Sequence, residues 1–133
     1  MKVIKNAYIC VRDSNNIEYY LCKLTHELND DETYKYIFTP NYEIIDLLPN
    51  DIFFGIPGIN LDSKKKEYVR ENIKPVFISE RVPDENREGL SKILKQVNMD
   101  YIDPLEFLIR CHKKGIQYSG DKLYLVESSS KLS

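Results

Sequence analysis

Apolar residues in this chain change their spacing near residue 68, and that change decides which folds are open to it. Before it, residues 3–11 and 17–24 are rich in β-branched, aromatic and aliphatic side chains and are separated by the turn-forming RDSNN. A third run, ETYKYIFT, sets Tyr34, Tyr36 and Phe38 on one face and Lys35 and Thr39 on the other. With HELNDDE as the second polar turn, these runs predict an antiparallel meander. From residue 68 onward the spacing is helical. Tyr68, Val69, Ile73, Val76, Phe77 and Val82 form one amphipathic stripe, in which Pro75 sits in a first turn or makes a kink. Leu90, Ile93, Leu94 and Val97 line a second helical face.

The third helix is the best signed. In DPLE, Asp103 is a natural N-cap, Pro104 fits the first helical position and Glu106 completes a capping box. Leu105, Leu108 and Ile109 then face inward, and Gly115 stops the helix. DKLYLVE reads as a last strand and SSSKLS as a polar tail. Residues 40–68, punctuated by Pro40, Pro49 and Pro57, are expected to be a crossing loop with a short helical piece at 43–48. Within it, DIFFGIPGINL is apolar enough to pack across the sheet. The expected fold is α+β: a small antiparallel meander packed against about three helices, with a final C-terminal strand. One domain at 1–127 and a tail at 128–133 account for the chain.

At 133 residues the chain can bury a core without disulfides or metal. Asp and Glu number 21 against 19 Lys and Arg, a balance that offers no general attraction for phosphate backbones or anionic membranes. No stretch approaches the ~18 apolar residues of a membrane span, and MKVIKNAYICVRD reads as a strand and not as a leader. A cytoplasmic setting, where thiols stay reduced, suits the odd count of three cysteines.

Chemistry is hard to find in the residues. Cys10, Cys22, His26, Cys111 and His112 form no CxxC or HxxxH pair, so no metal is expected. If the first turn centres between Ser14 and Asn15, Cys10 opposes Tyr19, Cys22 opposes Ala7, and the thiols lie on opposite faces. Cys111 and His112 are helix neighbours whose side chains diverge by about 100° and do not pair. Cys111 with His26 across the fold is the remaining nucleophilic arrangement. GIPG lacks the Lys-Ser/Thr of a P-loop, and no cofactor is expected. Lys64, Lys65, Lys66 and Arg70 make a local basic cluster near Tyr68, either a solvated loop or a nucleic-acid contact. Ten tyrosines and no tryptophan fit both β-faces and protein interfaces.

The densest charge lies in ISERVPDENREGL, residues 78–90. Its carboxylates Glu80, Asp84, Glu85 and Glu88 have the cationic neighbours Arg81, Arg87 and Lys92, so surface pairing is the expectation. Asp84, directly after Pro83, reads as the N-cap of the Leu90 helix, with Glu85 and Glu88 at its positive end. The stretch is thus a joint between helices whose charges Glu80, Arg81, Glu85 and Arg87 form a docking rim.

Three stretches in order, ENIKPVFISERVPDENREGL, DPLEFLIRC and YSGDKLYLVE, resemble the N-terminal subdomain of HipA-type kinase toxins and the small stand-alone HipS-like proteins. There an apolar helix ending in Leu/Val-Pro is followed by a polar turn, an Asp/Gln-Pro-Leu/Phe helix and a G-x-(L/V)-x-L strand. The resemblance spans residues 20–127; a similar segment precedes HIRAN domains, which are associated with DNA processing. The family's Phe-Phe stands here as Val76-Phe77, and its Gly-Arg after the Asp-Pro helix as His112-Lys113-Lys114-Gly115. The resemblance implies a non-catalytic module that packs on, and as a separate chain restrains, a HipA-like serine/threonine kinase. The chain carries no Gly-rich phosphate loop, HRD-type loop or DFG-type metal ligand, so the kinase itself is excluded. The alternative is a nucleic-acid accessory protein using Lys64, Lys65, Lys66 and Arg70.

Overall fold

The computed structural model describes residues 2–117 and 120–128. The first hairpin joins β1 (Val3–Arg12) to β2 (Glu18–Leu28). The Asp13 carboxylate accepts the backbone N–H groups of Asn15 and Ile17, and Asn16 takes a left-handed conformation, which closes the turn. That loop is longer than a two-residue turn, and Leu21 is an extra residue in β2, so Cys10 faces Tyr20 and Cys22 faces Ile9. The expected Cys10–Tyr19 and Cys22–Ala7 register is therefore corrected. The two thiols still lie on opposite faces, because Ile9 and Cys10 are consecutive in one strand.

β3 (Tyr34–Pro40) pairs with β2 from Leu28↔Tyr34 to Cys22↔Pro40. Residues 26–28, read as turn, are strand because His26, Glu27 and Leu28 are paired on both sides. Tyr36 and Phe38 are buried, as their alternation predicts.

The stripe 68–82 departs most from expectation. Tyr68–Glu71 is strand β4, paired with β3 through Phe38↔Tyr68 and Tyr36↔Arg70. Helix α2 is confined to Val76–Ser79, with Pro75 as its N-cap residue. Proline drives the residue before it away from helical angles, so a helix cannot run through Lys74. Asn72, at positive φ, turns the chain; its N–H donates to the Tyr34 carbonyl and its side chain accepts from the Tyr34 N–H. Strand β5 (Tyr124–Glu127) pairs with β1, completing an antiparallel sheet of order β4-β3-β2-β1-β5.

The connection from β3 to β4 holds helix α1 (Tyr42–Ile45) and a 3-10 turn at Leu61–Ser63. Phe53 and Ile56 from this loop enter the core, so the apolar loop does pack inward, but Phe54 points out. Gly58 has a φ of 80° and lies where a Cβ would stand 2.8 Å from the Val76 Cβ; only glycine lets the loop pass the start of α2.

Helix α3 (Leu90–Lys95) buries Leu94 and is followed by the buried Val97. Its N-cap residue is Gly89, and Asp84 instead accepts from the Asn86 N–H in a turn six residues before the helix. The expected cap at Asp84 is thus corrected, and Glu85 precedes the helix by too far to meet its first turn. Helix α4 (Pro104–Lys113) keeps the cap and the proline of its signature: the Asp103 side chain accepts from the Glu106 N–H at 3.4 Å, and Pro104 opens the helix. The Glu106 carboxylate turns to Arg110 and not back to the Asp103 N–H of the expected capping box. Glu106 pairs with Arg110 at 2.7 Å, one turn on. Arg110 also donates to the carbonyls of Val97 and Asn98, which ties the end of α3 to α4. At the far end, the Gly115 N–H meets the His112 carbonyl and the Ile116 N–H meets that of Cys111, the paired bonds of a Schellman stop.

Ion pairs fasten both ends of α4 to the sheet, Lys5 of β1 with Asp103 and Lys113 with Glu127 of β5. Leu105, Phe107, Leu108, Ile109 and Cys111 face a core shared with Ala7, Ile9, Leu24, Phe38, Phe77 and Leu125. Among the described residues, no helix is long and apolar enough to cross a membrane. The expected tail falls almost entirely at 129–133, outside the described residues.

Candidate docking surface

The rim expected from Glu80, Arg81, Glu85 and Arg87 divides in two. Glu80, Glu85 and Arg87 are exposed. Arg81 is only 4% exposed and leaves the rim. It lies in the turn that follows α2, where its N–H donates to the Ile78 carbonyl, and its side chain folds back over Phe77. Its guanidinium sits 3.9 Å from the centroid of the Phe77 ring and donates to the Phe77 carbonyl at 3.1 Å. Asp121 forms an ion pair with it, and Glu80 stands 3.4 Å away. A buried cation requires such partners, and Asp121, forty residues on, was invisible to a local reading.

The basic cluster is also partly committed. Lys64 pairs with Asp46 at 2.6 Å and lies over the Tyr42 ring. Arg70 donates to the Gly58 carbonyl at 3.0 Å and to that of Val69. Lys65 lies over the Tyr68 ring, and Lys66 is exposed. The Tyr68 hydroxyl organises this corner: it donates to the Asn60 carbonyl at 2.7 Å and accepts from the Lys65 N–H.

The thiols and imidazoles do not assemble. Burial pushes Cys10 and Cys22 up to about 12 and Cys111 up to about 11, so each stays a neutral thiol near neutrality. His26 stacks on Tyr36 at 4.3 Å, and His112 stacks on Tyr124 at 3.9 Å. Both imidazoles are held below their ordinary value by burial. Among the described residues no hydrogen bond joins Cys111 to His26, whose ring is stacked on Tyr36, so the expected Cys111–His26 pair is not formed. Among the described residues, no group of three or more His, Cys, Asp or Glu side chains is arranged to hold a metal ion.

What the structure does build is an apolar groove of ≈ 790 Å³ along the 51–59 loop. Ile52, Phe54, Ile56, Pro57 and Ile59 line one side and Leu123 the other, with Glu80, Asp51 and Lys122 around them. A second concavity of ≈ 270 Å³, between α1 and the 3-10 turn, shares Phe54 and Ile59. Phe54 stands between the two and is 83% exposed. Its backbone is not loose: Phe53 and Ile56 are buried on either side, Ile56 bridges Ile59, and the Lys122 ammonium donates to the Asp51 carbonyl. The sequence carried a signal for this. In an extended loop, adjacent Phe53 and Phe54 cannot both face the core.

No known protein family, curated protein or solved structure matches the chain.

Proposed function

We propose that this chain is a non-enzymatic binding module that docks on a HipA-like serine/threonine kinase and modulates it, in a cytoplasmic toxin–antitoxin or defence system. The observation that carries the binding half of this reading is Phe54, 83% exposed on an anchored loop between two concavities. A large aromatic held out of the core beside an apolar groove is the form of an interface anchor. The exposed charges of Glu80, Glu85 and Arg87 supply a polar rim. The kinase half rests on the resemblance of the 71–90, 103–111 and 118–127 stretches to the HipA N-terminal subdomain. The three buried neutral thiols and two stacked imidazoles favour a binding role over nucleophilic catalysis. A nucleic-acid role has less support, because Lys64 and Arg70 are already engaged within the chain.

The test is direct binding between the purified chain and a purified HipA-like kinase from the same host, with kinase autophosphorylation as the second readout. Binding is expected, and Phe54→Asp is expected to weaken it at least tenfold, roughly the effect of losing an aromatic anchor. Arg87→Glu should alter the association rate and its salt dependence more than the dissociation rate. Absence of binding at about 10 µM, a weak affinity for a regulator, sinks the kinase assignment.

A further inference from the structure

Phe54 and Gly55 leave their backbone N–H and C=O groups without a hydrogen-bond partner among the described residues. Both residues line both concavities, so this short stretch of open backbone is the ridge between them. A Cβ built on Gly55 would meet nothing within 4 Å, so a second chain can approach the backbone closely here. Charge around the ridge is unbalanced. Asp51, Glu80, Asp121 and Asp62 line the two concavities, and Lys122 is the one cation among the described lining residues. Asp121 is answered by Arg81, which also stands 3.4 Å from Glu80. The exposed carboxylates of Asp51 and Asp62 have no ion-pair partner among the described residues.

We propose that this surface binds an extended segment of the partner protein, with apolar side chains at alternate positions on either side of the Phe54 ring and a lysine or arginine beside them. The backbone sets the first limit. Open N–H and C=O groups next to a glycine can pair with an extended chain, whereas a helix has already used its own. Spacing sets the second. Side chains two apart on a strand share one face and stand roughly 7 Å apart. That lets one enter the concavity of Ile52 and Leu123 and the other that of Leu48 and Ile59, with the ring between them. Charge sets the third. Asp51, Asp62 and the exposed Glu80 attract a cation and repel an acidic segment. A second copy of this chain would bring the same excess of carboxylates against itself, so it is not the occupant. This assignment rests on the reading of Phe54 as the docking anchor, but not on the partner being a kinase.

The test selects peptides from a random displayed library on the immobilised whole chain and measures the enriched peptides by fluorescence anisotropy. Enriched sequences are expected to carry apolar residues at i and i+2 with a lysine or arginine next to them. Phe54→Ser, which removes the ring without adding charge, is expected to weaken the best of them at least tenfold, roughly the effect of losing an aromatic anchor. The double variant Asp51→Asn/Asp62→Asn should weaken it about fivefold, the effect of exposed ion pairs, and should lessen the loss of binding at raised salt. All three changes fall on exposed side chains and leave the core as it is. No enrichment, acidic enriched sequences, apolar residues at helical spacing, or an affinity unchanged in Phe54→Ser each overturn the proposal. So does a dimer of the free chain that Phe54→Ser dissociates. If the kinase binds while the enriched peptides lack this pattern, the segment proposal fails alone. Peptides of this pattern with no binding to the kinase uphold it and overturn only the kinase assignment.

Discussion

Segments 68–82 and 103–116 both carry a proline, apolar residues at helical spacing and flanking charges. The first became a four-residue strand and one short helical turn, and the second a ten-residue helix. Their prolines differ in position relative to the apolar stripe. Pro104 comes after a capping Asp103 and before the stripe, where its missing N–H costs nothing. Pro75 falls inside the stripe, so Lys74 is driven toward extended angles and the helix can begin only after it. The residues ahead of Pro75 then had an open edge of β3 to pair with, and Tyr68 could bury opposite Phe38. Period alone did not distinguish these outcomes; the place of the proline and an available sheet edge did.

The comparison can be broken most sharply at its two buried rings. Phe77 of α2 and Phe107 of α4 are both fully buried. Each change to alanine should cost about 3–5 kcal/mol in urea unfolding. If Phe77→Ala cost under about 1 kcal/mol, a figure typical of surface changes, the short α2 would not be seated as described.

Next come the glycines that bound each segment. Gly58→Ala meets both a φ of 80° and Val76 at 2.8 Å, so a loss of about 2 kcal/mol or more is expected. Gly115→Ala meets strained backbone but open space, and about 1–2 kcal/mol is expected. Equal losses would mean that the loop does not cross α2 closely.

The two aspartates read as caps should then separate. Asp103→Ala is expected to cost about 1–2 kcal/mol, since it removes a true N-cap. Asp84→Ala should stay within about 0.5 kcal/mol, since it accepts only in an exposed turn.

The smallest effect is in pH. His26 and His112 both titrate below the ordinary 6.5 in the folded chain, chiefly because burial disfavours the imidazolium. The unfolded chain therefore binds more protons just below that value, and stability rises with pH there. This stability is fully present above 6.5 and is lost as the pH falls from 6.5 toward the folded pKa values. Urea midpoints between about pH 7 and 5.5 should show the decline, a range above carboxylate titration. The double variant His26→Phe/His112→Phe should flatten it, and an unchanged slope would assign the decline to other groups.

The candidate surface was less legible than the fold. Glu80, Glu85 and Arg87 are exposed, as their composition suggested, but charge density alone could not show that Arg81 turns inward to Asp121. Charge patterns announce solvation well and long-range pairing poorly, because the partner is distant in sequence. The loop 51–59 was read as apolar and packed, yet only the structure showed which phenylalanine stays outside.

By itself, the sequence determined what local chemistry controls. The β1–β2 turn, the inward set of β3, the start and stop of α4 and the α+β order all follow from side chains within a few residues of one another. Tertiary structure decided what depends on neighbours far along the chain. The register between β1 and β2 was set by a bulge, β4 by the free edge of β3, and the burial of Arg81 by Asp121. The physical reason is the same in each case. A backbone edge or a buried charge must find its partner wherever the chain brings one, and that position is not a local property.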